Sequence, residues 1–220
     1  TAARARGAAL RDAGDAAGVA RAADVLLSVC PPHAAAAVAR SVAGFEGVYV
    51  EANAVSPGTA RAVRALLPGA DFVDGGIIGP PPSRAGTTRL YLSGASAGRV
   101  AGLFADTPVD ARVLSAVPGD ASALKMAYAA WTKGSAALLL AIRATADAHG
   151  VAEPLLEEWG PELVERSERA QDSAREKGWR WIAEMEEIAT TFAAGGQPDG
   201  FHRAAAEIYR RAAADRLGRE

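Results

Sequence analysis

Short apolar runs alternate with alanine-rich stretches of helical period over residues 1–118, and from Pro118 onward only the helical pattern continues. The runs are Asp24–Cys30 (DVLLSVC), Gly47–Asn53 (GVYVEAN), Asp71–Gly79 (DFVDGGIIG), Thr88–Ser93 (TRLYLS) and Val109–Val117 (VDARVLSAV). The first two show little polar alternation, which is the pattern of strands covered on both faces. Between the runs, Pro32–Ala43, Ser56–Leu67 and Ala95–Ala105 read as helices, the second with Ser56 as N-cap and Pro57 in its first helical position. Strand alternating with helix predicts an α/β layer fold with a mostly parallel sheet.

The second half is organised around one long helix, Gly119–Gly150. Leu124, Tyr128, Trp131, Ser135, Leu138 and Ile142 recur at spacings of four and three, which places them on one stripe and predicts a core face. Asp120 or Ser122 is expected to accept the free amide hydrogens of the first turn, and His149 with Gly150 makes a stop signal. The apolar run between Lys133 and Arg143 falls well short of the ~20 residues a membrane span needs, so this helix is expected inside protein. Residues 152–220 read as helical throughout. Glu162–Lys177 is charged all round, which predicts an exposed or partner-covered surface. Trp181, Met185, Ile188 and Phe192 form a second stripe, flanked by Glu184, Glu186 and Glu187, a group that reads as a solvated face. The break at Gly195–Gly200 precedes a last helix, Phe201–Leu217. Two domains are expected, 1–118 and 119–220.

At 220 residues, half of them apolar, the chain has enough material for a real core. A net charge of -2, a pI near 6.0 and scattered arginines give no general attraction to nucleic acid or anionic lipid, which points to a small molecule as partner. The single cysteine, Cys30, excludes an internal disulfide and suits a reducing compartment, and no charged-then-apolar leader opens the chain, so the cytoplasm is the expected location. No G-x-G-x-x-G follows a strand, no phosphate-loop pattern occurs, and His33, His149 and His202 are too dispersed for a metal motif, so no metal is expected.

Loops that follow strands are where ligands lie in such sheets. Three stand out: Val29-Cys30-Pro31-Pro32-His33, stiffened by two prolines; Glu51–Pro57, which brings a carboxylate and an amide to a helix start; and Asp74–Pro82, whose glycines allow close backbone approach. Gly94-Ala95-Ser96-Ala97-Gly98 matches the nucleophile pattern G-x-S-x-G, but a plain turn into a glycine-rich helix accounts for it equally well. Of the 24 basic residues only Lys125, Lys133 and Lys177 are lysines. Arginine stays charged, whereas a desolvated lysine has its pKa lowered and can pass a proton, so Lys125, near the start of the long helix, is the candidate proton carrier. Lys133 is expected to be a bystander.

The order of these pieces resembles the β-hydroxyacid dehydrogenase and 6-phosphogluconate dehydrogenase superfamily over nearly the whole chain. The resemblance implies a partial Rossmann-like domain followed by an all-α domain, with NADP or NAD as cofactor. A strand ending in a proline turn flanks the cofactor in that family, which makes Pro31 and Pro32 cofactor-binding residues here. Its D-x-S-T-x-x-P or G-N-S segment falls on Glu51–Pro57, and Asn53 carries over as a cofactor contact. Its substrate loop D-A-P-V-S-G-G is matched by Asp74–Pro80, so Gly75, Gly76, Ile77, Ile78 and Gly79 are the expected substrate-binding residues, together with Tyr128. Its G-x-x-x-K-x-x-x-N helix makes Lys125 the catalytic lysine. GWRWIAEMEEIATTF followed by PDGFHRAAAEIY is similar to the branch with a phosphogluconate-dehydrogenase-type C-terminal domain, the most specific match of all.

The departures narrow what carries over. The loop serine falls at Ile78 and the second glycine at Pro80, which removes a hydroxyl and a backbone N–H for a carboxylate. The family's helix glycine falls at Ala121, its asparagine at Ala129 and the glutamate of true phosphogluconate dehydrogenases at Thr132, so decarboxylation of 6-phosphogluconate is not expected. The family's opening strand, glycine turn and second strand have no counterpart, and Thr1–Ala13 reads as the helix after them. The chain is therefore expected to be incomplete and to hold a dinucleotide poorly by itself. The favoured reading is an NAD(P)-dependent oxidoreductase acting on a small hydroxy acid, alcohol or imine-type substrate, and the competing one a non-catalytic dimerising protein of the same fold. Either is expected to be a homodimer through its C-terminal helices, centred on Trp179, Trp181, Met185 and Phe192.

Overall fold

The computed structural model describes residues 2–8 and 10–217. It contains two compact units: the first runs to Asn53 and resumes over Thr59–Ser122, and the second comprises Ala54–Gly58 and the chain from Ala123 onward.

The first unit opens with α1 (Ala2–Gly7) and α2 (Ala16–Ala22), the latter capped by the Asp15 carboxylate accepting from Gly18 N–H. The expected helix over Thr1–Ala13 is thus shorter, and α2 is an element the pattern did not mark; Thr1 and Ala9 lie outside the described residues. Then follow β1 (Val25–Ser28), a 3-10 turn (Pro32–Ala34), α3 (Ala35–Ser41), β2 (Val48–Glu51), α4 (Pro57–Ala65), β3 (Asp71–Ile78), β4 (Thr88–Ser93), α5 (Ala97–Gly102) and β5 (Val109–Ser115). The five strands lie side by side in chain order, with β1, β2 and β3 parallel, β4 antiparallel to β3, and β5 parallel to β4. All four residues of β2 are buried, as its unbroken apolar run predicts. Val48, Val50, Val73, Leu90 and Leu92 make the core on one face, against Ala97 and Val100 of α5.

Gly75, Gly76, Ile77 and Ile78, expected in a substrate loop, lie inside β3 and pair with Leu92, Tyr91, Leu90 and Arg89 of β4. The glycine at 75 serves close strand packing, since a Cβ there would stand 3.1 Å from the Ala52 Cβ and 3.2 Å from the Glu51 carbonyl oxygen. The turn itself begins only at Gly79, whose φ of 124° and whose collision course with the Thr87 carbonyl leave no room for a side chain.

The second unit is helical: α6 (Asp120–Ala148, from Ala123 on), α7 (Ala152–Ala194) and α8 (Gly200–Leu217). Helix α6 stops as expected, with Gly150 at φ 68° and Val151 N–H reaching back to the Ala146 carbonyl. Its stripe is another matter. Tyr128, Trp131 and Leu138 are exposed, and the buried face is instead Met126, Ala129, Ala130 and Ala137. Apart from Met126 this face is made of alanines, and Tyr128, Trp131 and Leu138 are left outside.

Helix α7 is broken at Gly160 (φ 66°) ahead of Pro161, which has no N–H for the preceding turn. The stretch 162–177, charged to the eye, buries a narrow row of small residues, Ser167, Ala170 and Ala174, continued by Gly178, where a Cβ would meet the Tyr209 ring of α8 at 3.5 Å. The expected interface centre is largely consumed here. Met185 is fully buried, Trp181 meets Tyr209 edge to face at 5.1 Å, and Phe192 meets His202 at 4.2 Å. The stripe from Trp181 to Phe192 is therefore the seat of α8.

Candidate functional site

The first unit assembles polar groups in a row across its sheet, at the carboxyl ends of β1 and β2 and midway along β3. Ser28, Glu51, Asp74, Ser93 and Ser115 occupy matched positions across all five strands, so their side chains share one face as a row. Four of these five are buried. Asp74 is fully engaged: it accepts from Ser93 Oγ (2.9 Å), Gly119 N–H (3.0 Å), Ser122 N–H (2.9 Å) and Ser122 Oγ (2.5 Å). Ser93 Oγ in turn accepts from Ala121 N–H at 3.1 Å. The first turn of α6 is thus capped from the sheet, and the expected local caps do other work: Asp120 accepts from Ser115, and Ser122 donates its hydroxyl to Asp74.

Beside it, Glu51 is wholly buried; its Oε1 accepts from Asn53 N–H at 3.0 Å, while Oε2 has no hydrogen-bond partner among the described residues. Burial pushes its carboxyl up to about 7, the hydrogen bonds from Asn53 oppose the shift, and the nearby Asp74 charge adds to it. Tyr49, two residues earlier on the same face, is raised to about 12, by burial first. Asn53 is also buried. Its Oδ1 accepts from Cys30 N–H and its Nδ2 donates to Ser28 Oγ at 3.1 Å, so it ties the end of β2 to the end of β1. Cys30 Sγ lies 4.0 Å from Ser28 Oγ, and burial pushes the thiol up. Pro31 caps and Pro32 opens the 3-10 turn, which leaves Val29 and Pro31 exposed on a strand end that Asn53 holds in place.

The second unit brings two lysines to one carboxylate. Lys125 Nζ stands 3.9 Å from Glu184 Oε1, and the same oxygen is ion-paired with Lys133 Nζ. The three side chains are mostly buried, at 17%, 9% and 16% exposure for Lys125, Glu184 and Lys133. Burial lowers the Lys125 pKa, Glu184 raises it, and Lys133 lowers it again. Lys133 also stands 5.9 Å above the Trp181 ring, and Tyr209 OH donates to its carbonyl at 2.7 Å. Glu184 was expected on a solvated face and Lys133 as a bystander; both belong to the surroundings of Lys125. Glu187 likewise is occupied, accepting from Ser56 N–H at 2.7 Å and tying Ala54–Gly58 to this unit. Tyr128 is exposed on α6.

Ser96 donates its hydroxyl to Asp71, a carboxylate on β3, rather than to a histidine, which is the arrangement of a turn and not of a nucleophile. Among the described residues no group of three His, Cys, Asp or Glu side chains could hold a metal ion, and no helix is long and apolar enough to cross a membrane.

A mostly parallel sheet followed by an all-helical region is the layout of the dehydrogenase fold. Comparison with known proteins agrees. A family model described as a domain of unknown function (DUF1932) matches residues 146–212. An uncharacterized 28.5 kDa protein of Methanothermus fervidus is 31% identical over 135 residues, 61% of this chain and 52% of its own length. The chain thus spans about half the length of that curated relative. The solved structure of a conserved hypothetical protein from Sinorhizobium meliloti is 29% identical, with a TM-score of 0.69 over 94% of this chain and 73% of that one. MTH1747, a conserved protein of unknown function described as structurally similar to 3-hydroxyacid dehydrogenases, is 27% identical, with a TM-score of 0.69 over 99% and 84%. The fold alone is shared with Mycobacterium tuberculosis 3-hydroxyisobutyrate dehydrogenase (19% identity, TM-score 0.63, 91% and 77% covered) and with an Aspergillus terreus reductive aminase solved with NADPH (19%, 0.58, 98% and 83%). These likenesses support the resemblance to the β-hydroxyacid dehydrogenase and 6-phosphogluconate dehydrogenase-like superfamily.

Proposed function

We propose that the protein is an NAD(P)-dependent oxidoreductase that interconverts a small hydroxy acid, alcohol or amine with the corresponding carbonyl or imine. The observation that carries this reading is Lys125, a mostly buried lysine on α6 whose ammonium is destabilised by desolvation. A lysine in that state can hold a proton and release it to a substrate oxygen or nitrogen as charge develops there. Residues 1–118 are the proposed cofactor-binding part and 119–220 the proposed substrate-binding and dimerising part. The described residues suit the nicotinamide end of a dinucleotide: Pro31 and Pro32 form a rigid turn at the end of β1, and Asn53 fixes it from β2. Bound there, the dinucleotide supplies or accepts the hydride. No glycine-rich turn leads from a described parallel strand into a helix, so the assignment concerns the nicotinamide end only.

Gly75–Ile78 are engaged in pairing with β4, and by the sequence resemblance Ile78 and Pro80 replace the serine and glycine whose hydroxyl and N–H would serve a carboxylate. This supports carbonyl and imine substrates without a carboxylate over hydroxy acids. The test is NADPH and NADH oxidation by the full-length protein, followed at 340 nm with cyclic imines, ketones and 2- or 3-oxo acids. Turnover of imines or ketones above the oxo acids is expected. No turnover of any class, with no binding of either dinucleotide by calorimetry, would overturn the reading in favour of a non-catalytic protein of this fold.

A further inference from the structure

Two ammonium groups of α6 and one carboxylate of α7 meet beside Tyr209 of α8, so the three side chains carry a net positive charge in a place largely closed to water. Burying a charge is costly unless it is paired, and one carboxylate neutralises one ammonium. The competition is unequal. Lys133 makes the close ion pair with Glu184 Oε1, stands over the Trp181 ring, and sits on a turn of α6 whose carbonyl receives the Tyr209 hydroxyl. Lys125 makes only the longer 3.9 Å approach to the same oxygen, and Coulomb attraction falls with distance. From α8, Tyr209 faces the group as a neutral phenol, its ionisation suppressed by burial and then by the Glu184 charge.

We propose that Glu184 and Lys133 form the positioning pair of Lys125: Lys133 occupies the carboxylate and repels the second ammonium, so Lys125 is the one that releases its proton. This rests on the reading of Lys125 as the proton carrier, and it makes Lys133, eight residues along the same helix, part of the machinery. It also explains why one glutamate is buried with two lysines in a chain that has only one other lysine, Lys177. An arginine at 133 would fill the carboxylate with its planar fork, and one at 125 would never deprotonate.

The pair makes a prediction with two signs. Removing the carboxylate with Glu184→Gln leaves two cations face to face and lowers the Lys125 pKa, whereas Lys133→Met gives Lys125 sole use of Glu184 and raises it, each by about one pH unit. With three lysines in the chain, protein grown on ε-13C-lysine gives three side-chain signals, and exposed Lys177 serves as the reference. A pH titration of these signals in the unmodified protein and both variants is the experiment. Opposite movements of Lys125 support the pair; no movement, or movement in one direction in both variants, overturns it. Should Glu184→Gln fail to fold, Lys133→Met and Lys133→Gln carry the test, and an unmoved Lys125 in both overturns the proposal. None of these readouts needs turnover, so a protein that shows the two-signed shift yet oxidises no NADPH would separate the failure of the enzyme reading from that of the pair.

Discussion

Glu51 is a carboxyl whose burial changes its chemistry. A carboxyl whose pKa is about 7 in the fold and 4.5 when unfolded keeps its proton in the fold while the unfolded chain has lost it. Below pH 4.5 both states are protonated and Glu51 costs nothing; as pH rises to about 7 the unfolded state is progressively favoured, and above that the penalty stays constant. Glu51→Gln keeps an oxygen to accept from Asn53 and cannot ionise. It should therefore raise stability at pH 8 by roughly 1–3 kcal/mol and leave it unchanged at pH 4, as measured by denaturant unfolding at the two values. A gain that is the same at both pH values would show that Glu51 is not buried as a neutral acid. Lys125 was legible in the sequence because lysine is rare in it. Glu184 was not, because three glutamates beside a helical stripe look like a surface until α6 is seen to bring two lysines to one of them.

Among the elements, the strands and α6 were legible because hydrophobic period needs no knowledge of partners. What covers a stripe and what caps a helix are long-range facts. The cap of α6 comes from Asp74, 46 residues before Asp120, and from Ser93, so no local reading of Asp120 or Ser122 finds it. Asp74→Ala would strand the Ser93 and Ser122 hydroxyls and the Gly119 and Ser122 amides in a buried place, a loss on the order of 3 kcal/mol. Asp120→Ala, which removes an exposed contact to Ser115, should cost less than about 1 kcal/mol. Equal costs in urea unfolding would mean that the sheet does not hold the helix start. The same lesson applies to Gly75–Ile78: a glycine pair reads as a loop in sequence, while the packing of β3 on β2 uses it as strand.

At the scale of the whole molecule, the apolar stripe of Tyr128, Trp131 and Leu138 remains exposed, with Arg166 5.4 Å above the Trp131 ring. A homodimer is proposed through this face, in place of the stripe from Trp181 to Phe192 that α8 already covers. Trp131→Asp with Leu138→Asp should give a folded monomer of this 22.5 kDa chain by light scattering, and Trp181→Asp with Phe192→Asp should unfold the helical unit instead. A monomer in the unmodified protein at micromolar concentration would contradict the interface.

Lys125 is the proposed proton carrier of a nicotinamide-dependent reaction. The most direct test is steady-state NADPH oxidation by the full-length protein with the best imine or ketone, for the unmodified protein, Lys125→Met and the exposed control Lys177→Met, with NADPH affinity measured alongside. The predicted result is a loss of ~10²–10⁴-fold in kcat for Lys125→Met, with dinucleotide affinity nearly unchanged and Lys177→Met close to the unmodified protein. A Lys125→Met variant that turns over as fast as the Lys177→Met control would contradict it.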